Sequence, residues 1–236
     1  MTLAGQIIIV NGTSGAGKST TCELFAKRRE DFWLLFGIDH FLSGSFPARY
    51  SHHGPDAGRG IYAHPADRGL PEGTLRWSFG DQGWRAMRTY HEWIAAASRQ
   101  GCNIIADHLL MTDPPVLPDC VWRFEGLPVL LVTLKPAYDV LVDRVANRTI
   151  DKRLPATEIY GDEGLRRAAE KLNRLRPWFY DSVYANDACD LEIDTVRHAP
   201  EQVCDLIEQR LAEGPGTSFE ALRRRYPRQD RSAART

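Results

Sequence analysis

The sequence predicts an α/β fold, a five-stranded parallel sheet flanked by helices, and three observations point to it. Short apolar runs recur along the chain, helical patterns separate them, and most of the runs lead into glycine or acidic residues. Continuous Ile, Leu and Val runs suit strands buried on both faces, as parallel strands are. Strands alternating with helices are the pattern of such a sheet. Ligands of these sheets collect at the carboxyl ends of the strands. The polar residues that follow each run are therefore the candidates for function.

The first strand is expected over residues 6–11, followed by a glycine-rich turn and a helix over 19–29. The second covers 33–38. Residues 43–80, rich in Gly, Pro, Arg and aromatics, are too long for a simple connection. They read as an insertion after strand 2 that covers a substrate. A helix over 82–99 carries Trp84 and Trp93 at helical spacing, which places both in the core. Strands over 103–107, 129–134 and 191–194 complete the sheet, with helices over 137–148, 163–174 and 200–212. One domain over residues 1–212 is expected. Residues 213–236 read as a basic, partly disordered tail with one helical turn around 219–225. From Gly214 onward six arginines face only Glu220 and Asp230, and no apolar face is sustained.

Bulk properties exclude several classes. With 236 residues, 43% hydrophobic, 26% charged and a net charge of -1, the chain has the composition of a soluble domain. It is not a general binder of nucleic acid or of a membrane surface. No apolar run is long enough to span a bilayer. Residues 1–10 have no basic region ahead of their apolar stretch, so no signal peptide is expected. Five scattered cysteines without a CxxC pair indicate reduced thiols and a cytoplasmic location.

Gly12-Thr13-Ser14-Gly15-Ala16-Gly17-Lys18-Ser19 fits G-x-x-x-x-G-K-[ST], between a strand and a helix as that motif requires. Only about 0.003 such matches are expected by chance in a chain of this composition. The glycines let backbone N–H groups wrap a phosphate at the positive end of a helix. Gly12 to Ser19, with Thr20, are thus expected to bind ATP. Lys18 should reach the β- and γ-phosphates, and the Ser19 hydroxyl should hold Mg2+. No Asn-Lys-x-Asp guanine-reading motif occurs.

Asp39 closes the second strand and Asp107 the third. Asp39 is placed to accept the proton of a hydroxyl attacking the γ-phosphate, and Asp107 to serve magnesium or orient the acceptor. Each also sits where an acid can simply cap a helix. After the fourth strand, the stretch from Arg144 to Arg153 reads as a lid. Arg148 and Arg153 would meet charge on the transferring group, with Arg144 behind them. His40 and His108, beside the two acids, and His52, His53 and His64 in the insertion match no zinc spacing and read as polar lining or surface.

Several segments together resemble the chloramphenicol phosphotransferase family. They are IIIVNGTSGAGKST, WLLFGIDHFL, GCNIIADHLL, the Arg-rich stretch from Arg144, and CDLEIDT leading into the helix from Pro200. The similarity runs in order over residues 5–211. It implies the fold of small nucleoside and shikimate kinases, an ATP-dependent O-phosphotransferase activity on a small-molecule hydroxyl, such as that of an antibiotic, and a base at Asp39. Two departures are visible. The segment between Asp39 and Asp107 is longer than in the family, and His108 follows Asp107 where the family has an acid. Two other classes stay open on the residues alone. One is a nucleotide or polynucleotide kinase whose insertion arginines (Arg49, Arg59, Arg68, Arg76) grip an anionic acceptor. The other is a non-catalytic, nucleotide-dependent binding module.

Overall fold

The computed structural model describes residues 3–66, 69–146 and 156–228. In chain order it runs β1 (Ile7–Asn11), α1 (Lys18–Arg28), β2 (Trp33–Gly37), α2 (Ile38–Gly44), β3 (Ile61–Pro65), β4 (Leu75–Phe79), α3 (Asp81–Arg99) and β5 (Asn103–His108). There follow α4 (Val116–Arg123), β6 (Val129–Leu134), α5 (Tyr138–Ala146), α6 (Ala156–Tyr184), β7 (Leu191–Ile193), α7 (Pro200–Ala212) and α8 (Ser218–Arg225). The main sheet has the order β2-β5-β1-β6-β7 and every neighbouring pair is parallel.

The central strand shows why this sheet forms. Ile7, Ile8, Ile9 and Val10 are all fully buried. Successive side chains of a strand point to opposite faces, so Ile7 and Ile9 enter one core while Ile8 and Val10 enter the other. Each contributes roughly 1.5–3 kcal/mol by burial. One face is covered by α3, α4, α6 and α8, the other by α1, α5 and α7. Parallel register then sets the strand ends side by side, with Asp107 opposite both Val10 and Gly37.

The five strands and the helices α1, α3 and α7 lie within a residue or two of expectation. Elsewhere the structure differs. The insertion contains an antiparallel hairpin, β3–β4, whose Ile61, Leu75 and Phe79 are buried in the main core. Helix α2 begins directly at the end of β2, and α4 occupies a proline-rich stretch. Helix α6 extends to Tyr184, well past residue 174, because its apolar face continues through Leu175, Trp178, Phe179 and Val183 across Pro177. Trp84 packs against the core, whereas Trp93 is 47% exposed, its ring edge against Phe41.

The chain after Ala212 also continues into the core. Phe219 and Leu222 of α8 are buried, and Phe219 stacks on Phe124 at 6.0 Å. Asp190 anchors this helix. Its Oδ1 accepts the N–H groups of Thr217 and Ser218 (2.7 and 2.9 Å), and its Oδ2 accepts the Ser218 hydroxyl and the Leu131 N–H (2.7 and 2.8 Å). An apolar pair three residues apart is enough when a remote carboxylate supplies the cap. The expected single turn is a two-turn helix for this reason.

Candidate active site

The glycine-rich turn joins β1 to α1, and Gly17, at φ 96°, is the residue from which α1 starts. Gly15 also has positive φ (86°), so both glycines hold a backbone shape that other residues rarely adopt. Lys18 is buried, and its Nζ donates to the Thr13 carbonyl at 3.1 Å. The Thr13 N–H is turned away from the cradle and donates to the Tyr184 hydroxyl at 3.2 Å. Thr13 thus joins Tyr184 through its N–H and Lys18 through its carbonyl. The first turn of α1 remains the natural seat for an anion.

Asp107 is buried at the end of β5 and joins three elements. Its Oδ2 accepts the Ser19 hydroxyl at 2.9 Å, and its Oδ1 accepts the Ile38 N–H at 3.0 Å. The second bond caps α2 from the neighbouring strand, so Asp107 is a helix cap and also a partner of the phosphate loop. A hydroxyl and a carboxylate converging here give an all-oxygen donor pair, the kind magnesium takes from protein beside a nucleotide. The residues present thus fit that ion.

Asp39 stands in the first turn of α2, exposed, next to the residue whose N–H Asp107 holds. Among the described residues none hydrogen-bonds its carboxylate. The His40 ring folds back over Gly37. Its Nδ1 is 2.9 Å from the point where a Cβ on Gly37 would stand, and Asp107 Oδ1 is 3.7 Å from that same point. The structure thus brings Lys18, Ser19, Asp107 and His40 together at the strand ends, with Asp39 at the rim. Arg148 and Arg153 lie outside the described residues, as does Arg68 of the insertion.

Behind Asp107 the strand end is pinned by buried groups. Tyr90 donates its hydroxyl proton to the Asp107 carbonyl at 3.2 Å. His108 Nδ1 accepts the Leu109 N–H, which leaves its Nε2 to donate to His91 Nε2 at 2.9 Å. His91 Nδ1 in turn donates to Asp119 at 2.9 Å. Burial lowers the pKa of both histidines, so both stay neutral and this order of donors holds. His108 is therefore a core residue, unlike the polar lining or surface expected of it.

Arg144 belongs to the rear of the loop. Its guanidinium donates to the Thr195 hydroxyl and carbonyl, both at 2.8 Å, and to the Gly15 carbonyl at 3.4 Å. Thr195 Oγ1 donates to the Ala16 carbonyl at 3.1 Å. A cleft of about 250 Å³ opens beside them, lined by Gly15, Gly17, Thr20, Arg144, Thr195 and His198 among others. Thr195, His198 and Tyr184 were not singled out from sequence. Thr195 closes the CDLEIDT segment, which was the available signal. Nothing in sequence marks Tyr184, which meets Thr13 only through the fold.

Residues 5–212 match the family model described as chloramphenicol phosphotransferase-like protein. The chain belongs to this family. Two curated proteins of Mycobacterium tuberculosis (strains CDC 1551 and H37Rv) that carry the provisional name O-phosphotransferase are each 24% identical over 230 residues. The alignment spans 94% of this chain and 89% of theirs. An APS kinase of Mycobacterium tuberculosis, solved with AMPPNP and APS, superposes with a TM-score of 0.54 at 12% identity, over 89% of this chain and 98% of that one. A protein of Chloroflexus aurantiacus provisionally named a kinase gives 0.50 at 16% identity, over 90% and 98%. At such identities the superpositions establish the fold alone, that of the P-loop kinases. This member of the chloramphenicol phosphotransferase-like family is a P-loop phosphotransferase, and α8, which its core includes, lies beyond the stretch the family model matches.

Proposed function

We propose that this phosphotransferase moves the γ-phosphoryl group of ATP to a hydroxyl of a small molecule. The observation that carries the proposal is the Ser19–Asp107 contact at the mouth of the loop, with the Asp39 carboxylate, which no described residue hydrogen-bonds, next in the chain to the Ile38 N–H that Asp107 holds. In this reading Lys18 leaves the Thr13 carbonyl to meet the β- and γ-phosphates, and backbone N–H groups from Gly15 to Thr20 cradle them. Ser19 and Asp107 would hold magnesium, which would supply neutralisation of phosphate charge. The acceptor oxygen attacks the γ-phosphorus, its proton passes to Asp39, and the bond to the β,γ-bridging oxygen breaks to release ADP. Arg148 and Arg153 are proposed to meet the charge on the transferring group.

A small acceptor is favoured over a nucleic acid by the state of the described insertion arginines, Arg49, Arg59 and Arg76. Arg49 pairs with Asp56, Arg59 with Asp81 at 2.9 Å, and Arg76 with Asp113 at 3.5 Å. Their charge is met within the chain, which leaves little to grip a polyanion. The test is ATP-dependent transfer of labelled phosphate across a panel of hydroxylated metabolites and antibiotics, chloramphenicol included, beside 5′-hydroxyl oligonucleotides. Transfer to a small hydroxyl with shallow salt dependence supports the proposal. Transfer confined to oligonucleotides and falling steeply with salt contradicts it.

A further inference from the structure

We infer that Tyr184 is a positioning residue that sets the shape of the phosphate loop and ties it to the wall built by α6 and the insertion. Its hydroxyl donates to the Leu134 carbonyl at 2.7 Å and accepts the Thr13 N–H at 3.2 Å, with the Thr13 hydroxyl at 3.4 Å. A phenol has one proton and two lone pairs, and with the proton committed to Leu134, the Thr13 hydroxyl is left to donate. Burial raises the pKa of Tyr184, so the phenol stays a donor. The first glycine of the motif passes through the same slot. A Cβ on Gly12 would lie 2.7 Å from the Leu134 carbonyl oxygen and 3.4 Å from the Tyr184 hydroxyl.

The consequence reaches the motif lysine. Thr13, fixed at its N–H by Tyr184, offers its carbonyl to Lys18 at 3.1 Å. Leu134, Tyr184, Thr13 and Lys18 therefore form one chain of contacts from the end of β6 to the centre of the cradle. The other part of α6 grips the insertion. Phe179 meets Trp77 at 4.8 Å, Arg174 donates to the Gly73 carbonyl at 2.8 Å, and Lys171 to the His52 carbonyl at 3.0 Å. At 1.5 Å per residue, Lys171 and Tyr184 are about 20 Å apart along one helix. The helix that carries one wall of the proposed acceptor side thus ends on the loop, and Tyr184 is its point of contact.

The experiment compares Tyr184→Phe with Tyr180→Phe. Tyr180 is the neighbouring tyrosine, ring to ring at 4.8 Å, and its hydroxyl makes no hydrogen bond to the loop among the described residues. Both variants keep their rings. Amide hydrogen exchange of the nucleotide-free full chain is read at Thr13 to Gly17, and Mg-AMPPNP binding is read by calorimetry. The expected result is a protected Thr13 amide in the unmodified protein, at least tenfold faster exchange in Tyr184→Phe, and AMPPNP binding about tenfold weaker, the weight of one buried hydrogen bond. Tyr180→Phe should change neither. Rapid Thr13 exchange in the unmodified protein would overturn the inference without any variant, and so would equal exchange in the two variants. The inference rests on the proposed nucleotide role only in the binding arm. If the unmodified protein bound no AMPPNP, the proposed function would fall, while the exchange comparison would still decide the role of Tyr184.

Discussion

The Ser19 hydroxyl donates to the Asp107 carboxylate across 2.9 Å, joining the first helix of the fold to the end of β5. The other oxygen of the same carboxylate holds the Ile38 N–H and with it the turn that carries Asp39. One buried acid thus fixes the geometry between the loop that would hold the donor and the carboxylate that would serve the acceptor. Replacing Asp107 by Asn keeps its size but halves its capacity to accept and removes its charge. ATP turnover of Asp107→Asn should require much higher magnesium than the unmodified protein, with kcat down by 10²-fold or more. A magnesium titration of turnover checks this. An unchanged magnesium requirement would remove Asp107 from the metal's partners.

Lys18 makes its described contact through one hydrogen bond to a loop carbonyl. Lys18→Ala should therefore leave the fold intact while it abolishes phosphoryl transfer. Thermal unfolding followed by circular dichroism, beside an ATP turnover assay, separates the two. Full turnover in this variant would remove the basis of the nucleotide reading.

Asp190 is a structural counterpart, with a side chain only 2% exposed that accepts four hydrogen bonds. Asp190→Ala strips the cap from α8 and leaves buried N–H groups unpaired. The expected loss is about 3 kcal/mol in urea unfolding. Removal of residues 213–236 should cost at least as much, since Phe219 and Leu222 leave the core with it. A tail deletion that unfolds at the same urea concentration as the full chain would show that α8 is dispensable.

Much of this architecture was legible because the signals were local. The run from Ile7 to Val10 is apolar at every position, which in a chain of this length means a strand with both faces buried. The loop motif is contiguous, and Gly15 and Gly17 do what their backbone freedom allows. The hairpin is also written in sequence, in the alternation Leu75, Trp77, Phe79, inside the Gly-, Pro- and Arg-rich stretch that marks residues 43–80 only as an insertion. The helix expected over 163–174 stops short of Pro177, yet that residue lacks only one backbone hydrogen bond, and the apolar face on both sides carries α6 through it. The cap of α8 and the Thr13–Tyr184 contact could not be read at all. Asp190 lies 27 and 28 residues before the N–H groups it caps, and Tyr184 lies 171 residues from Thr13. Only the closed sheet brings such pairs together.

The acid limb of the stability profile should carry a histidine signature. Burial, followed by the nearby His53 and Lys171, lowers the pKa of His52 from its ordinary 6.5 to about 3. As pH falls below 6.5 the unfolded chain takes up a proton at this position and the folded chain does not. The stability that His52 confers is therefore full above pH 6.5 and is lost progressively down to pH 3. The urea midpoint should fall between pH 7 and pH 4.5, and the fall should be smaller in His52→Gln. An equal fall in both would place the acid sensitivity elsewhere.

The central claim is that Asp39 receives the proton of the acceptor hydroxyl. The most direct measurement is the kcat of Asp39→Asn, with the acceptor found in the panel assay, beside its affinity for Mg-AMPPNP. The variant keeps the size of the side chain and removes its basicity. The account predicts a fall in kcat of roughly 10²-fold or more with AMPPNP affinity nearly unchanged, the range for loss of a general base. A near-normal kcat in Asp39→Asn would contradict it and leave that carboxylate as an ordinary first-turn acid of α2.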